Sequence, residues 1–326
     1  MRIDEATRAR LARVSQAVRL PAAAVPVLLP SDSNDVWRIG PVVVRICWRG
    51  DRERFTREAA VTCALPAGVP YPEVLDSGSD GELSWQVTRL VDGAPLSTVW
   101  RDLSRAEQHD AVNQIGAALA ALHAHRFPAD VVAALAAPRP VGEMSTSALV
   151  GADITLLPVR RAQALLAIAR RDGAADTALI DQVAARFHKL ADADPLAAAG
   201  PFACVHGDAH LGNALWKDGR LTAVLDFEWV RLGPPDLEIE PYLREDVTGL
   251  TLIEVREVIG WLAESYPAMV AGPDLVRRLW LCQLANAVRE LFLDDADRSP
   301  GSGPWRRLRR IVTSPDDLLQ ILPAAQ

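Results

Sequence analysis

The chain is short of the features that would give several protein classes away. It has four cysteines in 326 residues, Cys47, Cys63, Cys204 and Cys282, all far apart. No CxxC pair occurs, which argues against a zinc knuckle, a thioredoxin-type site or a disulfide scaffold. Cys47 and Cys204 sit in apolar runs and read as buried thiols. No uncharged apolar run reaches membrane-spanning length. Met1-Arg2-Ile3-Asp4-Glu5 carries early acid and no apolar h-region, so no signal peptide is expected and the cytoplasm is the expected setting. Positive charge is not in excess either. The formal net charge is −7, which disfavours nucleic acid as a main partner and would suit a cationic small molecule. Repeats and low-complexity tracts are lacking. What remains is an ordinary folded composition, 49% hydrophobic and 24% charged, long enough for two lobes with a substantial core.

The first third alternates short apolar runs with turn residues. Val42 to Trp48 is a dense β-branched strand between Pro41 and Gly50. Ser31 to Asp35 is a polar turn before a partner strand, Val36 to Ile39. A helix is expected from Arg52 to Leu65, stopped by Pro66. Strands follow at 73–76 and 83–90, with Asp80-Gly81 as the hairpin turn. After a linker at Val91 to Pro95 the pattern becomes helical. Ser104-Arg105-Ala106-Glu107 is a capping box, and Val112, Ile115, Leu119 and Leu122 recur on one face. Further helical patterns cover 159–171, 177–191, 252–265 and 274–294. Phe127 to Pro158 has no clear period, and its reading stays open between a substrate-facing insertion and a loop. The expected architecture is α+β: residues 1–91 a small antiparallel sheet with one helix, residues 92–326 a mainly helical lobe.

One constellation carries chemistry. His206-Gly207-Asp208-Ala209-His210-Leu211-Gly212-Asn213 lies between two short apolar strands, and Val224-Leu225-Asp226-Phe227 ends the second. Asp208, Asn213 and Asp226 stand five and then thirteen residues apart. An acid, an amide and a second acid in this order suit phosphoryl transfer from a nucleotide. One carboxylate orients or deprotonates the acceptor hydroxyl, while the amide oxygen and the other carboxylate hold Mg2+. Asp208 alone would be better read as a turn cap; the other two in register turn the balance. His206 and His210 have the spacing of helical zinc ligands, but Gly207 and Gly212 argue against a helix there. Support of the loop is the simpler role.

At these residues the chain resembles the aminoglycoside phosphotransferase and choline kinase group, distant relatives of protein kinases. The motif H-G-D-x-H-x-x-N, followed by a strand ending in D-F, is long, ordered and correctly spaced. The resemblance implies a bilobal protein-kinase-like fold and a phosphotransferase using ATP or GTP with Mg2+. The acceptor would be a hydroxyl of a small molecule, such as an aminoglycoside, another antibiotic or an amino alcohol. It further implies Asp208 as the catalytic carboxylate and Asn213 and Asp226 as metal ligands. Arg45 would lie on the phosphates, where Lys is usual, with Glu58 as its partner. The phosphate loop would include Ser33 and Asn34. Thr88 would back the adenine pocket, and Arg89 to Val91 would offer backbone groups to the base. Each of these has a plainer alternative: Arg45 as a snorkelling strand residue, Glu58 as a solvated helix residue.

Arg45 in place of Lys, a phosphate loop without Gly and Glu228 where protein kinases have Gly keep a second reading in play, a weak or inactive nucleotide-binding module. Glu228 would face either substrate or metal. Asp236, Glu238, Glu240, Glu245 and Asp246, with a second group at Asp294, Asp295 and Asp297, read either as a pocket for a cationic acceptor or as solvated surface. Trp229, Trp261 and Trp280 read as core or pocket wall. The oligomeric state has no signal in the sequence.

Overall fold

The computed structural model describes residues 3–21, 24–31, 34–48, 53–136, 159–171, 176–192, 195–196, 202–244, 248–272, 274–292, 299, 301–314 and 321–322. The chain opens with helix α1 (Glu5–Ala17), capped by Asp4, which accepts from Thr7 N at 2.7 Å. Neither this helix nor the short strand β1 (Val27–Leu29) had a strong sequence signal. Strands β2 (Asp35–Ile39) and β3 (Val42–Cys47) follow, then helix α2 (Glu53–Thr62), β4 (Val74–Ser79) and β5 (Ser84–Arg89). All five strands pair antiparallel in the order β1-β2-β3-β5-β4. The β4–β5 turn forms where expected: Asp80 Oδ1 accepts from the N–H of Glu82 and Leu83, and Gly81 supplies φ +87°.

Strand alternation decides what faces the cleft. Trp37, Ile39, Val42, Val44, Ile46, Trp85 and Val87 pack on one side with Val14 and Val18 around α1. The opposite face of β3 and β5 therefore presents Val43, Arg45, Gln86 and Thr88, with Arg45 directly across from Gln86.

The segment expected as a linker is stitched into the next lobe. Ala94–Pro95 forms a short strand, β6. Helices α3 (Leu96–Val99), α4 (Arg105–Ala124), α5 (Ala129–Ala136), α6 (Val159–Arg171) and α7 (Thr177–Ala191) follow. The capping box at Ser104 and Glu107 is made in both directions, and Val112, Ile115, Leu119 and Leu122 are all buried. Strands β7 (Ala203–Val205), β8 (Ala214–Lys217), β9 (Arg220–Val224) and β10 (Arg231–Gly233) carry the central loops. β6 joins β8 and β9 in one small sheet, and β7 pairs with β10. Helices α8 (Leu252–Ser265), α9 (Leu275–Glu290) and α10 (Gly303–Thr313) complete the lobe around a large apolar core.

The fold is thus bilobal and α+β. Among the described residues no helix is long and apolar enough to cross a membrane. Most of 127–158 lies outside the described residues, apart from α5 at its start.

Candidate active site

The loop after β7 turns on Gly207, at φ +83°, which places Asp208 at its tip. Its backbone is held from below. Glu238, fully buried, accepts from His206 N at 2.5 Å and from Gly207 N at 3.1 Å. His206 Nε2 donates to the Leu225 carbonyl at 2.8 Å, while its Nδ1 accepts from Asp208 N at 3.2 Å. Those two contacts fix the tautomer with the proton on Nε2. His210 Nδ1 accepts from Gly212 N at 3.0 Å, and its Nε2 faces Asp208 Oδ2 at 3.6 Å.

Asp208, Asn213 and Asp226 converge from separate elements. Asn213 Nδ2 donates to the Asp208 carbonyl at 2.9 Å and lies 3.3 Å from its carboxylate, so the amide oxygen is the atom left for a cation. Leu225 N donates to the Asn213 carbonyl at 2.7 Å, which draws the next residue, Asp226, toward the loop. Asp226 itself adopts a left-handed conformation, φ +67°, ψ +60°. An Asp tolerates that region better than most residues, and such strain collects where a side chain must be aimed.

The charges differ at the two acids. Burial opposes ionisation of Asp208, but the His210 imidazole facing its carboxylate and the charge of Arg244 hold its carboxyl well below the usual range. Burial pushes Asp226 up; Arg45 opposes this, while Glu58 and Asp208 add repulsion. Half-buried carboxylates that repel one another form a natural seat for a divalent cation. The donor set, an amide oxygen and a carboxylate open to phosphate and water, fits Mg2+. Among the described residues no three His, Cys, Asp or Glu side chains gather as ligands of one metal ion, so the three protein ligands of a catalytic zinc are not offered.

Arg45 reaches from the sheet into this cluster. It donates to Glu58 Oε1 at 2.5 Å and also pairs with Asp226. Glu58, fully buried on α2, accepts from Phe227 N at 3.2 Å and lies 2.9 Å from Tyr71 Oη, so it is no solvated helix residue. Glu228 turns toward the sheet lobe, not outward. Asn34 Nδ2 donates to it at 2.7 Å, and Arg54 and Arg45 lie 3.2 and 3.5 Å away. It is a clasp between the turn that carries Asn34, α2 and the turn that carries Asp226.

Thr88 is buried on the cleft face. Arg89 is turned away: its guanidinium pairs with Glu73 at 2.7 Å on the surface, and its N–H is taken by the Glu73 carbonyl. The Leu90 N–H goes to Pro41, which leaves Val91 as the remaining backbone donor of that trio.

Two further expectations are corrected. Asp236 and Glu238 are neither acceptor-facing nor solvated. Asp236 is buried against Arg278, with Nε at 2.9 Å. Glu238 supports the loop backbone and meets His123 Nε2 at 3.2 Å. Their 3-10 segment, Pro235–Leu243, is buried almost throughout, so its carboxylates found internal partners. Ser33, Glu245, Asp246, Asp294, Asp295 and Asp297 lie outside the described residues.

Sequence reasoning missed Arg244 and His123. Arg244 donates Nη2 to Asp208 Oδ1 at 2.8 Å and lies 3.3 Å from Glu240 through Nε. His123 also lies 3.2 Å from Tyr266 Oη. The only sequence trace of the first is its i+4 spacing from Glu240, and of the second a His beside a buried helix face.

The model of the phosphotransferase enzyme family matches residues 28–247. The chain belongs to that family. The match spans the sheet, the Asp208 loop and the buried acidic segment of this phosphotransferase-family chain. No curated protein matches its sequence. Solved structures similar to it include the ADP-bound aminoglycoside phosphotransferase APH(2'')-Ib, at 14% identity and TM-score 0.61, covering 95% of this chain and 97% of that one. The streptomycin-ATP complex of APH(2'')-IIa, at 15% identity, has TM-score 0.61 and the same coverage. The GDP complex of aminoglycoside 2'-phosphotransferase-IIIa gives 17%, 0.61, 96% and 98%. At such identities the likeness is one of fold.

Proposed function

We propose that this chain moves the γ-phosphate of ATP or GTP to a hydroxyl of a small molecule, with Mg2+ as cofactor. The observation that carries the reading is the meeting of Asp208, Asn213 and Asp226 on one half-buried, hydrogen-bonded loop system beneath Arg45. The family match and the nucleotide complexes of its structural neighbours support it.

Asn213 and Asp226 would hold the metal, which supplies neutralisation of the phosphate oxygens when bound. Arg45 would shift its second contact from Asp226 to a phosphate oxygen while keeping Glu58, a change its planar fork permits. Asp208, held ionised by its cationic neighbours, is a weak base. It would orient the acceptor hydroxyl in line with phosphorus and take the proton late in the transfer. Most of the acceleration would then come from positioning and fixed charge. Four free thiols and a nucleotide co-substrate suit a cytoplasmic setting.

The Arg45–Asp226 pair favours a second reading, a nucleotide-binding module of little or no activity, since a cation already sits on the metal carboxylate. Nucleotide consumption with a panel of hydroxylated acceptors separates the two. Under the first reading Asp208→Asn lowers kcat by roughly 10²–10⁴-fold with nucleotide binding retained, the usual range for loss of a positioned acid or base. Turnover unaffected by this change would remove Asp208 from the chemistry. Binding without turnover across the panel would favour the second reading.

A further inference from the structure

Glu58 divides its bonding unevenly. Its Oε1 accepts from Arg45 Nη1 at 2.5 Å, from Tyr71 Oη at 2.9 Å and from Phe227 N at 3.2 Å, while its buried Oε2 has no partner among the described residues. One oxygen thus gathers a donor from β3, one from the segment between α2 and β4, and one from the turn after Asp226. The terminal torsion of a Glu side chain is soft, so a carboxylate held at one oxygen takes its aim from the donors at that oxygen.

Tyr71 is half-buried and belongs to no motif of the sequence. Its hydroxyl lies 2.9 Å from Glu58 Oε1 and 2.9 Å from the Gln86 amide. A hydroxyl has one proton, and the carboxylate is the stronger acceptor. Burial and the Glu58 charge push the Tyr71 phenol well above its ordinary value, which keeps it a donor. Gln86 is fully buried on β5, directly across from Arg45 on β3. With its amide oxygen toward Tyr71, Gln86 leaves Nε2 buried and without a partner among the described residues. Turned over, the same amide donates its NH2 to the phenolic oxygen. The chain then runs one way, from Gln86 N–H to Tyr71 O–H to Glu58 Oε1, and each link strengthens the next. The Tyr71 ring makes a second hold. It meets Phe227 edge-on, with centroids 5.4 Å apart and planes at 87°, and Phe227 directly follows Asp226.

We propose that Tyr71, backed by Gln86, is a positioning residue for the transfer centre: its hydroxyl sets Glu58 beneath Arg45, and its ring sets the Phe227 turn beside Asp226. The inference rests on the reading of Asp208, Asn213 and Asp226 as that centre, with Arg45 on the phosphates. When Arg45 gives its Asp226 contact to a phosphate oxygen, Glu58 must stay in place, and the Tyr71 hydroxyl is the donor that holds it there. Tyr71 touches no nucleotide in this account and acts through Arg45.

The test is calorimetric titration of the full chain, in Mg2+, with a non-hydrolysable ATP analogue and with adenosine, which shares the base and sugar and lacks the phosphates. Tyr71→Phe keeps the ring and removes the hydroxyl. It is expected to weaken the ATP analogue about tenfold and to leave adenosine within about twofold, since the lost bond is one to a charged group and acts on the phosphates alone. Gln86→Leu removes both amide atoms and is expected to give the same selective loss at about threefold, with the two changes together costing no more than Tyr71→Phe by itself. Circular dichroism checks folding, and Gln86→Leu carries the test where Tyr71→Phe does not fold. In the variants that fold, an unchanged affinity for the ATP analogue, or an equal loss for adenosine, would overturn the proposal; additive losses would remove Gln86 from it. If the unaltered chain does not bind Mg-nucleotide, the transfer-centre reading fails first and takes this inference with it. If it binds and the loss is not selective, only the role of Tyr71 is lost.

Discussion

Arg45 is the residue on which the proposed chemistry turns. Its neighbours, Glu58, Asp226 and Glu228, hold its guanidinium charged against the burial that opposes it. Lys keeps the charge but cannot span two carboxylates with a planar fork. Arg45→Lys is expected to raise the KM for nucleotide several-fold while kcat falls less; Arg45→Ala, which leaves Glu58 buried and short of its cation, should lose both activity and stability. Steady-state kinetics and thermal unfolding distinguish them. A pH dependence follows from the acids. Burial, with repulsion from other carboxylates, raises Asp226 and Glu228. Their folded state therefore holds protons more tightly than the unfolded chain, and without metal their contribution to stability declines as pH rises upward from about 4. Mg2+ relieves that repulsion, so its stabilising effect should grow over the same window and vanish in Asp226→Asn. Asp208, shifted the other way, keeps its contribution at neutral pH and loses it only as pH falls below the ordinary carboxylate range. Unfolding followed at several pH values, with and without Mg2+, reads both.

At the scale of elements, the 3-10 segment Pro235–Leu243 is a buried platform for the Asp208 loop. Glu238→Ala would leave the His206 and Gly207 N–H groups without their acceptor, at a cost of roughly 2–5 kcal/mol, and should lower kcat by loosening the loop. Asp236→Asn, by contrast, should lower stability while the KM for acceptor stays unchanged, because its carboxylate sits on Arg278 and not in the cleft. Denaturant unfolding set beside kinetics checks the pair. The crossing between lobes is equally specific. A Cβ on Gly93 would come within 2.8 Å of Thr222 Oγ1, at a φ of +143° that other residues rarely adopt. The backbone there is stitched to β8 and β9, with Thr222 donating to the Asp92 carbonyl at 2.8 Å.

At the scale of the whole molecule, two separate apolar cores flank the cleft, one under α1 and the sheet, the other among the helices. Beside the edge-on contact of Tyr71 with Phe227, the contacts that tie the sheet and α2 to the Asp226 turn are polar: Arg45 to Asp226, Glu58 to Phe227 N, Asn34 and Arg54 to Glu228. Such contacts can be exchanged for ligand contacts without breaking either core. Mg-nucleotide at a hundred times its Kd should accordingly stabilise the protein by about 2.7 kcal/mol, seen as a rise in Tm. A fold whose stability ignored nucleotide would contradict the proposed site.

Local pattern alone determined much of this protein. Helices 159–171, 177–191 and 252–265 and strand 203–205 lie where periodicity and caps put them, since each is set by neighbours within a turn or two along the chain. The ordered acid, amide and acid motif was legible for the same reason: one loop and one strand end fix its spacing. Only tertiary structure decided which charges face which. Asp236 and Glu238 look in sequence like Asp208, yet they end on Arg278 and on backbone N–H groups, while Arg244, Arg54 and Arg289 come together from elements far apart. An ion's partner depends on distance through space and on the water removed around it, and neither is written in the order of residues.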